Sequence, residues 1–387
     1  MRYAIVIFYA FLCLPAQLQA QVRITGRVLD DATGQPLVNA SVYINHTTIG
    51  TTTQADGSFS IGGLEAGTYE LVVSYVGFER ILYDIRVQSK DLRYVFRMEA
   101  KVAQMRDILV LSPQLRKQWL EIFRSQFLGV SAAAEATTIL NEDDIFFSNS
   151  GDENLISAFT DVPLVIENRA LGYRVFFELL AFEYHRRTDK CTFFGYNHYE
   201  ELDTANNRPR RLAASRAEAY RGSTMHFFRS LKSNLLRDEG FTIRRVLPAP
   251  QKKRSMNGAN QIEDPANPDA FVPGESYPTD RKSILFRDSA RQADYLLWEG
   301  ALQVTYLARS EANVGLTQPG DISGGSSRGN VSYVFINRAP VYILGDGTPL
   351  DPRSLRYGGH WNRERLADML PLDYQPFQKS VLNKKSP

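Results

Sequence analysis

Between Val22 and Met98 the sequence alternates apolar and polar residues in short runs, with a turn signal between each run and the next. This pattern constrains the fold more than any other feature, because a period of two places every second side chain on one face of a strand. Seven strands are predicted: Val22–Leu29, Ala40–Asn45, Gly50–Thr53, Ser58–Ile61, Tyr69–Val76, Ile81–Val87 and Leu92–Met98. That is the strand count of a β-sandwich. Gly34-Gln35-Pro36 and Asp56-Gly57 supply the dihedral angles of tight turns, and Tyr69, Leu71, Val73 and Tyr75 share one face of their strand.

The turn motifs fall in a recognisable order. They are Gly26-Arg27-Val28, Gly34-Gln35-Pro36-Leu37, Ala40-Ser41-Val42, Gly50-Thr51-Thr52-Thr53, Asp56-Gly57-Ser58-Phe59, Gly67-Thr68-Tyr69 and Ser74-Tyr75-Val76-Gly77-Phe78. On these residues the stretch 22–99 resembles the carboxypeptidase-like regulatory domain, a transthyretin-like Greek-key sandwich, with one departure at Gln54 where the family usually carries Asp. The resemblance implies a non-catalytic module of the Gram-negative envelope, found beside metallocarboxypeptidase domains and at the amino ends of TonB-dependent outer-membrane transporters. A transporter needs a plug and a long series of barrel strands after the sandwich, and the remaining residues are too few for both. The expectation is a stand-alone envelope protein, mainly β with an α+β C-terminal region.

Residues 1–20 read as a secretory signal peptide: Arg2, an apolar run from Tyr3 to Leu14, Pro15, and the small Ala20 at the cleavage position. The run is shorter than the roughly 20 residues of a membrane-spanning helix. Of the two cysteines, Cys13 leaves with that segment, so Cys191 has no partner for an internal disulfide and reads as a small apolar residue opening a strand. The 45 basic and 43 acidic residues give a formal charge of +2, which offers no excess to hold a phosphate backbone and argues against nucleic acid as a partner.

The expected division is a sandwich domain over 21–100, an α+β region over 101–247, a loop or linker over 248–282 rich in Pro, Asn, Asp and Gly, and a β-rich region over 283–387. Ser112-Pro113 and Gly129 bracket a helix whose Leu115, Trp119, Ile122, Phe123 and Phe127 form an aromatic stripe, read as packing onto a sheet. Further strands are expected at Ile145–Ser148, Leu164–Glu167, Gly172–Arg186 and Cys191–Glu200. The last two form a hairpin with arms beyond usual strand length, so a bulge is expected near Leu179–Ala181. A basic helix is expected over Arg211–Asp238, with Tyr220, Phe227, Leu231 and Leu235 on one face and Arg211, Arg221, Arg229 and Lys232 opposite, a candidate contact for anionic lipid or an acidic partner. Later strands are expected at Ser283–Phe286, Leu296–Leu307, Val331–Asn337 and Val341–Leu344, before a short helix and an anchored tail.

The catalytic spellings fail on their context. His198-Tyr199-Glu200-Glu201 matches the His-x-x-Glu of a zinc carboxypeptidase, but a strand turns His198 and Glu201 to opposite faces, and the third ligand would have to be His226 or His360. Gly325-Ser326-Ser327-Arg328-Gly329 spells a nucleophile elbow, yet a polar tract enters it and a strand leaves it. Glu178 with Glu183, or Glu142-Asp143-Asp144, would serve acid–base chemistry only if the fold set them across a substrate. His46 and His185 read as surface residues. The reading is therefore a non-catalytic exported protein without cofactor or metal, in the periplasm or at the outer membrane, that scaffolds or binds envelope or outer-membrane proteins, with peripheral membrane contact through the basic helix. The alternative is a glycan- or peptide-binding protein using Phe193, Phe194, Tyr196 and Tyr199 of the hairpin, and a hydrolase is a third.

Overall fold

The computed structural model describes residues 22–101, 108–148, 151–202, 209–249, 273–307 and 330–376. The expected signal peptide, most of the loop over 248–282 and the Ser327 motif lie outside these residues.

The period-two segments form the N-terminal strands: β1 (Val22–Asp30), β2 (Ser41–Ile44), β3 (Gly50–Thr52), β4 (Ser58–Leu64), β5 (Gly67–Ser74), β6 (Ile81–Val87) and β7 (Leu92–Met98). They make two facing sheets, ordered β4-β1-β7 and β3-β2-β5-β6, in which β1 and β7 run parallel and the other pairs antiparallel. Inward positions of both sheets, among them Ile24, Val28, Val42, Leu71, Val73 and Ile85, form one buried cluster, as the alternation predicts. Gly26 admits no side chain: a Cβ there would collide with the Tyr94 carbonyl and the Phe59 ring.

The middle of the chain contributes α1 (Pro113–Phe127), α2 (Ala132–Glu135), β8 (Thr137–Ile139), β9 (Phe146–Ser148), β10 (Leu155–Phe159), β11 (Leu164–Asn168), β12 (Tyr173–His185) and β13 (Lys190–Glu201). Ser112 caps α1 by accepting from the Leu115 N–H, and Gly129 at φ +100 lets the chain leave it. Trp119, Phe123 and Phe127 pack onto the sheet as expected, while Leu115 is 37% exposed and lies outside the core. β11 and β10 pair with successive parts of β12, and β13 covers its other side. The register of the long hairpin shifts between Leu179 and Ala181, so Leu180 turns away from the α1 core.

The rest comprises α3 (Pro209–Tyr220), α4 (Thr224–Lys232), β14 (Phe241–Pro248), β15 (Pro273–Pro278), β16 (Leu285–Asp288), β17 (Ala293–Leu296), β18 (Ala301–Tyr306), β19 (Asn330–Ile336), β20 (Val341–Ile343) and β21 (Leu355–Gly359). Sheets β15-β14-β18-β19-β21 and β16-β17-β20 share a core with Phe227, Phe228 and Leu231 of α4 and with Trp361. The single basic helix expected over Arg211–Asp238 is two helices: Gly222 at φ +76 breaks it, its backbone N–H donates to His226 Nδ1, and Ser223 caps α4. The expected strand Leu296–Leu307 is likewise divided at Gly300, whose φ is +74.

The sandwich is docked on β13 through the β2–β3 turn. The His46 N–H donates to the Asn197 carbonyl at 2.8 Å, and the Tyr199 N–H to the Thr47 carbonyl at 2.9 Å, so the turn extends the sheet at its free edge and shields that edge from other chains. Tyr43 and Val72 meet Tyr196 across the same junction. Residues 366–374 fasten all three parts. Asn168 Nδ2 donates to the Ala367 carbonyl, the Leu372 N–H to the His46 carbonyl, Thr48 to Asp373, and Arg229 to the carbonyls of Leu372 and Tyr374.

A charged cluster sits within the junction. Glu178, 9% exposed, accepts from the Tyr43 hydroxyl at 3.0 Å and from Arg80 Nε at 2.7 Å. Removing Arg80 leaves a carboxylate among apolar neighbours without a counter-ion, which in a fully buried pair costs 3–5 kcal/mol. Arg80 is itself a quarter exposed, so Arg80→Ala is expected to cost about 2 kcal/mol in urea unfolding, and Glu178→Gln in the same background to recover part of it.

Candidate functional site

Where the sandwich turn, β13, α4, β21 and the segment 364–372 meet, they line a half-open cavity of about 330 Å³. Its walls are mainly apolar and aromatic, including Phe193, Phe194, Tyr199, Phe228 and Tyr357, with the polar groups of His46, Asn197, Thr224, Glu364 and Asp368 converging on it. A mostly apolar recess with a few convergent polar groups is the usual form of a small-ligand site. A wider recess of about 530 Å³ lies beside Tyr173 and Asp373. There Arg216 is already paired with Glu201 at 2.8 Å and stacked 4.0 Å over the Tyr173 ring.

Each wall has a local cause. Strand β13 carries four aromatic residues in seven, and its alternation sends Phe193 and Tyr199 toward the α1 side, where Phe193 meets Phe127 with ring centroids 5.0 Å apart. Gly195 lies between them because a Cβ there would collide with the Glu178 carbonyl and the Phe177 ring. The Ser223 cap turns the start of α4 into the cavity, bringing the Thr224 N–H to the Glu364 carboxyl.

Glu364 is the unusual group. Burial pushes its carboxyl up to about 8, the nearby Asp368 adds to the rise, and only the Thr224 N–H opposes it. Among the described residues no cation forms an ion pair with it. Asp368 is better held, accepting from Ser131 Oγ at 2.6 Å. His46 Nδ1 lies 3.2 Å from Asn197 Oδ1, and burial holds the ring below the usual imidazole range. This turn histidine is thus an element of the junction and not the surface residue expected. Burial raises the Tyr199 and Tyr357 phenols.

The residues singled out from the sequence are dispersed. Phe193, Phe194 and Tyr199 line the cavity, but Tyr196 does not: it is 8% exposed against the sandwich, with Arg80 5.2 Å over its ring. The four basic residues form no common face. Arg211 and Arg221 are exposed, whereas Arg229 is bound to the carbonyls of Leu372 and Tyr374, and Lys232 pairs with Asp294. Leu235, expected on the apolar face, is 42% exposed beyond the end of α4. His198 is stacked between Tyr43 and Phe176, Glu201 is turned to Arg216, His226 bonds to Glu239, and His360 lies near Asn330, so these four do not converge. Among the described residues no group of three His, Cys, Asp or Glu side chains is placed to hold a metal ion. Glu178 is bound to Arg80, Glu142 to Arg124, and Glu183 is exposed. Burial pushes the Cys191 thiol up to about 12, which leaves it unreactive. Sequence reasoning missed Glu364, which stands between Arg363 and Arg365 in a run that reads as solvated.

No curated protein matches this sequence. Solved structures give partial likenesses. A type II cohesin–X-dockerin complex from Acetivibrio cellulolyticus is 24% identical over 20% of this chain and 58% of that chain, with a TM-score of 0.19. A proposed carbohydrate-binding protein from Bacteroides uniformis is 13% identical over 39% of this chain and 55% of that one, with a TM-score of 0.18. A DUF3823 family protein from Bacteroides ovatus is 13% identical over 48% of this chain and 83% of that one, also with a TM-score of 0.18. The chain spans less than two thirds of the length of the first two, and at these scores none of the three bears on what this chain binds. The sequence itself is more informative: residues 24–110 match the CarboxypepD_reg-like domain family, and the N-terminal sandwich is a CarboxypepD_reg-like domain.

Proposed function

We propose that this chain is an exported, non-catalytic binding protein of the cell envelope, in which the sandwich braces a ligand cavity built by the rest of the chain. The observation that carries the reading is the cavity of about 330 Å³ in which Phe193, Phe194 and Tyr199 of the hairpin meet the start of α4. Aromatic walls with few polar groups suit a small organic ligand or a peptide side chain better than an extended glycan, whose hydroxyls would lack partners there. Envelope location rests on the sandwich family and the N-terminal signal pattern. Among the described residues no helix is long and apolar enough to cross a membrane.

Saturation-transfer NMR of the whole chain against a fragment library tests this. Fragments should bind in the wild type and be lost in Ala219→Trp, which puts an indole into the cavity, with thermal unfolding confirming that the variant folds. Binding that survives Ala219→Trp places the ligand site elsewhere and overturns the assignment.

A second reading, a scaffold for other envelope proteins, is favoured by the sandwich surface, where Val76 is 67%, Val95 59%, Tyr83 44% and Leu82 42% exposed. Crosslinked affinity capture from the native envelope should then recover one stoichiometric partner, and Val95→Glu should release it.

A further inference from the structure

The cavity proposed above as the ligand site has an uneven chemistry. Aromatic rings and two carboxyl groups line it, and no lysine or arginine does. The face of an aromatic ring carries negative potential that attracts a cation, most strongly where water is excluded. An anionic ligand would meet Glu364 and Asp368 with no opposing charge. A neutral apolar ligand would leave the Glu364 carboxyl facing it with the Thr224 N–H as its partner and the rest of its hydrogen-bonding capacity unmet.

Resting on the binding reading, we infer that the cavity selects a small organic cation, an ammonium head on an apolar body, with the head at Glu364 and the body against the rings of β13 and β21. The titratable groups that face Glu364 are few. His46 stands on the sandwich turn, Tyr199 on β13, Tyr357 on β21, and Asp368 on its own segment. Arg365 is turned away, donating to the Gln126 and Glu364 carbonyls, and His226 of α4 is engaged with Glu239. None supplies a positive charge at neutral pH, since His46 is held in its neutral form.

Glu364 therefore carries its proton at neutral pH in the free protein. A bound cation stabilises the carboxylate, so the carboxyl proton leaves to the buffer as the ammonium enters. Close to one proton is expected per cation bound near pH 7, and almost none well above the carboxyl's own value. The dissociation constant for a permanent cation should fall about tenfold from near pH 7 to near pH 9.

Isothermal titration of the whole chain with benzyltrimethylammonium tests this, with benzyl alcohol and phenylacetate as the neutral and anionic counterparts. The cation should bind at least about tenfold more tightly than benzyl alcohol near pH 9, and its heat near pH 7 should depend on the buffer as proton release requires. Glu364→Gln should remove both the preference for the cation and the pH dependence, with thermal unfolding confirming that the variant folds. Should that variant fail to fold, the wild-type proton release decides alone, and its absence near pH 7 overturns the inference. Benzyl alcohol or phenylacetate binding as tightly as the cation also overturns it, while leaving the cavity a ligand site. No binding of any of the three up to about 10 mM defeats both readings.

Discussion

Phe123→Ala is expected to lower the stability of this protein by about 4 kcal/mol, the largest effect of any truncation proposed here. The ring is fully buried, 4.6 Å from Phe182 and 5.0 Å from Phe127, and it is the central residue of the stripe that holds α1 on the sheet. Its removal loses the transfer energy of a whole ring and leaves a void that rigid β-strands on one side cannot close, which places the cost in the upper part of the range for aromatic truncation. Urea unfolding gives the number, and Leu115→Ala on the exposed flank of the same helix, expected below about 0.5 kcal/mol, is the internal standard. Equal effects from the two would mean that α1 does not rest on this sheet.

The second large effect is a loss of stability in mild acid. His198 is held between the Tyr43 and Phe176 rings, and burial pushes its imidazole down to about 4 from an ordinary value of 6.5. Below pH 6.5 the unfolded chain therefore binds a proton that the folded chain refuses, and stability declines until the pH reaches the folded value. At about 1.4 kcal/mol per pH unit, the decline from this one ring approaches about 3 kcal/mol. His198→Phe keeps the stack and removes the titration. The difference between wild type and variant in chemical unfolding should thus be flat above neutrality and widen in the variant's favour toward pH 4.5. His46 and His226 are shifted in the same direction but are present in both proteins, so the difference isolates His198. Parallel curves would place His198 in water.

Much of the fold was legible because its signals are local. A period of two fixes the sandwich without regard to what it packs against, and the excess length of β12 and β13 alone announces the bulge at Leu180. The helix break at Gly222 was hidden by phase: Tyr220, Phe227 and Leu231 keep a helical spacing across it, and only the Gly-Ser pair marks the end of one helix and the cap of the next. The short β10 after Gly151 and the five-stranded sheet that joins β14 to β15 and β18 depend on pairings between distant segments, to which no short window of sequence is sensitive. At the site, the rings of β13 could be nominated but not sorted. Tyr196 and Tyr199, three apart on one strand, face opposite ways, but sequence does not say which face meets the sandwich and which the cavity.

The fastening by residues 366–374 also orders events in time. A chain made from its amino end presents the sandwich first, then the hairpin, then the last sheet, and each can begin to form as it emerges. Yet the carbonyl of Ala367, the N–H of Leu372 and the carboxylate of Asp373 arrive after every element they fasten, and they are the ones that latch Asn168, His46 and Thr48 together. Until they arrive the cavity lacks a wall, so a chain cut short before residue 364 is a set of formed parts without the recess between them.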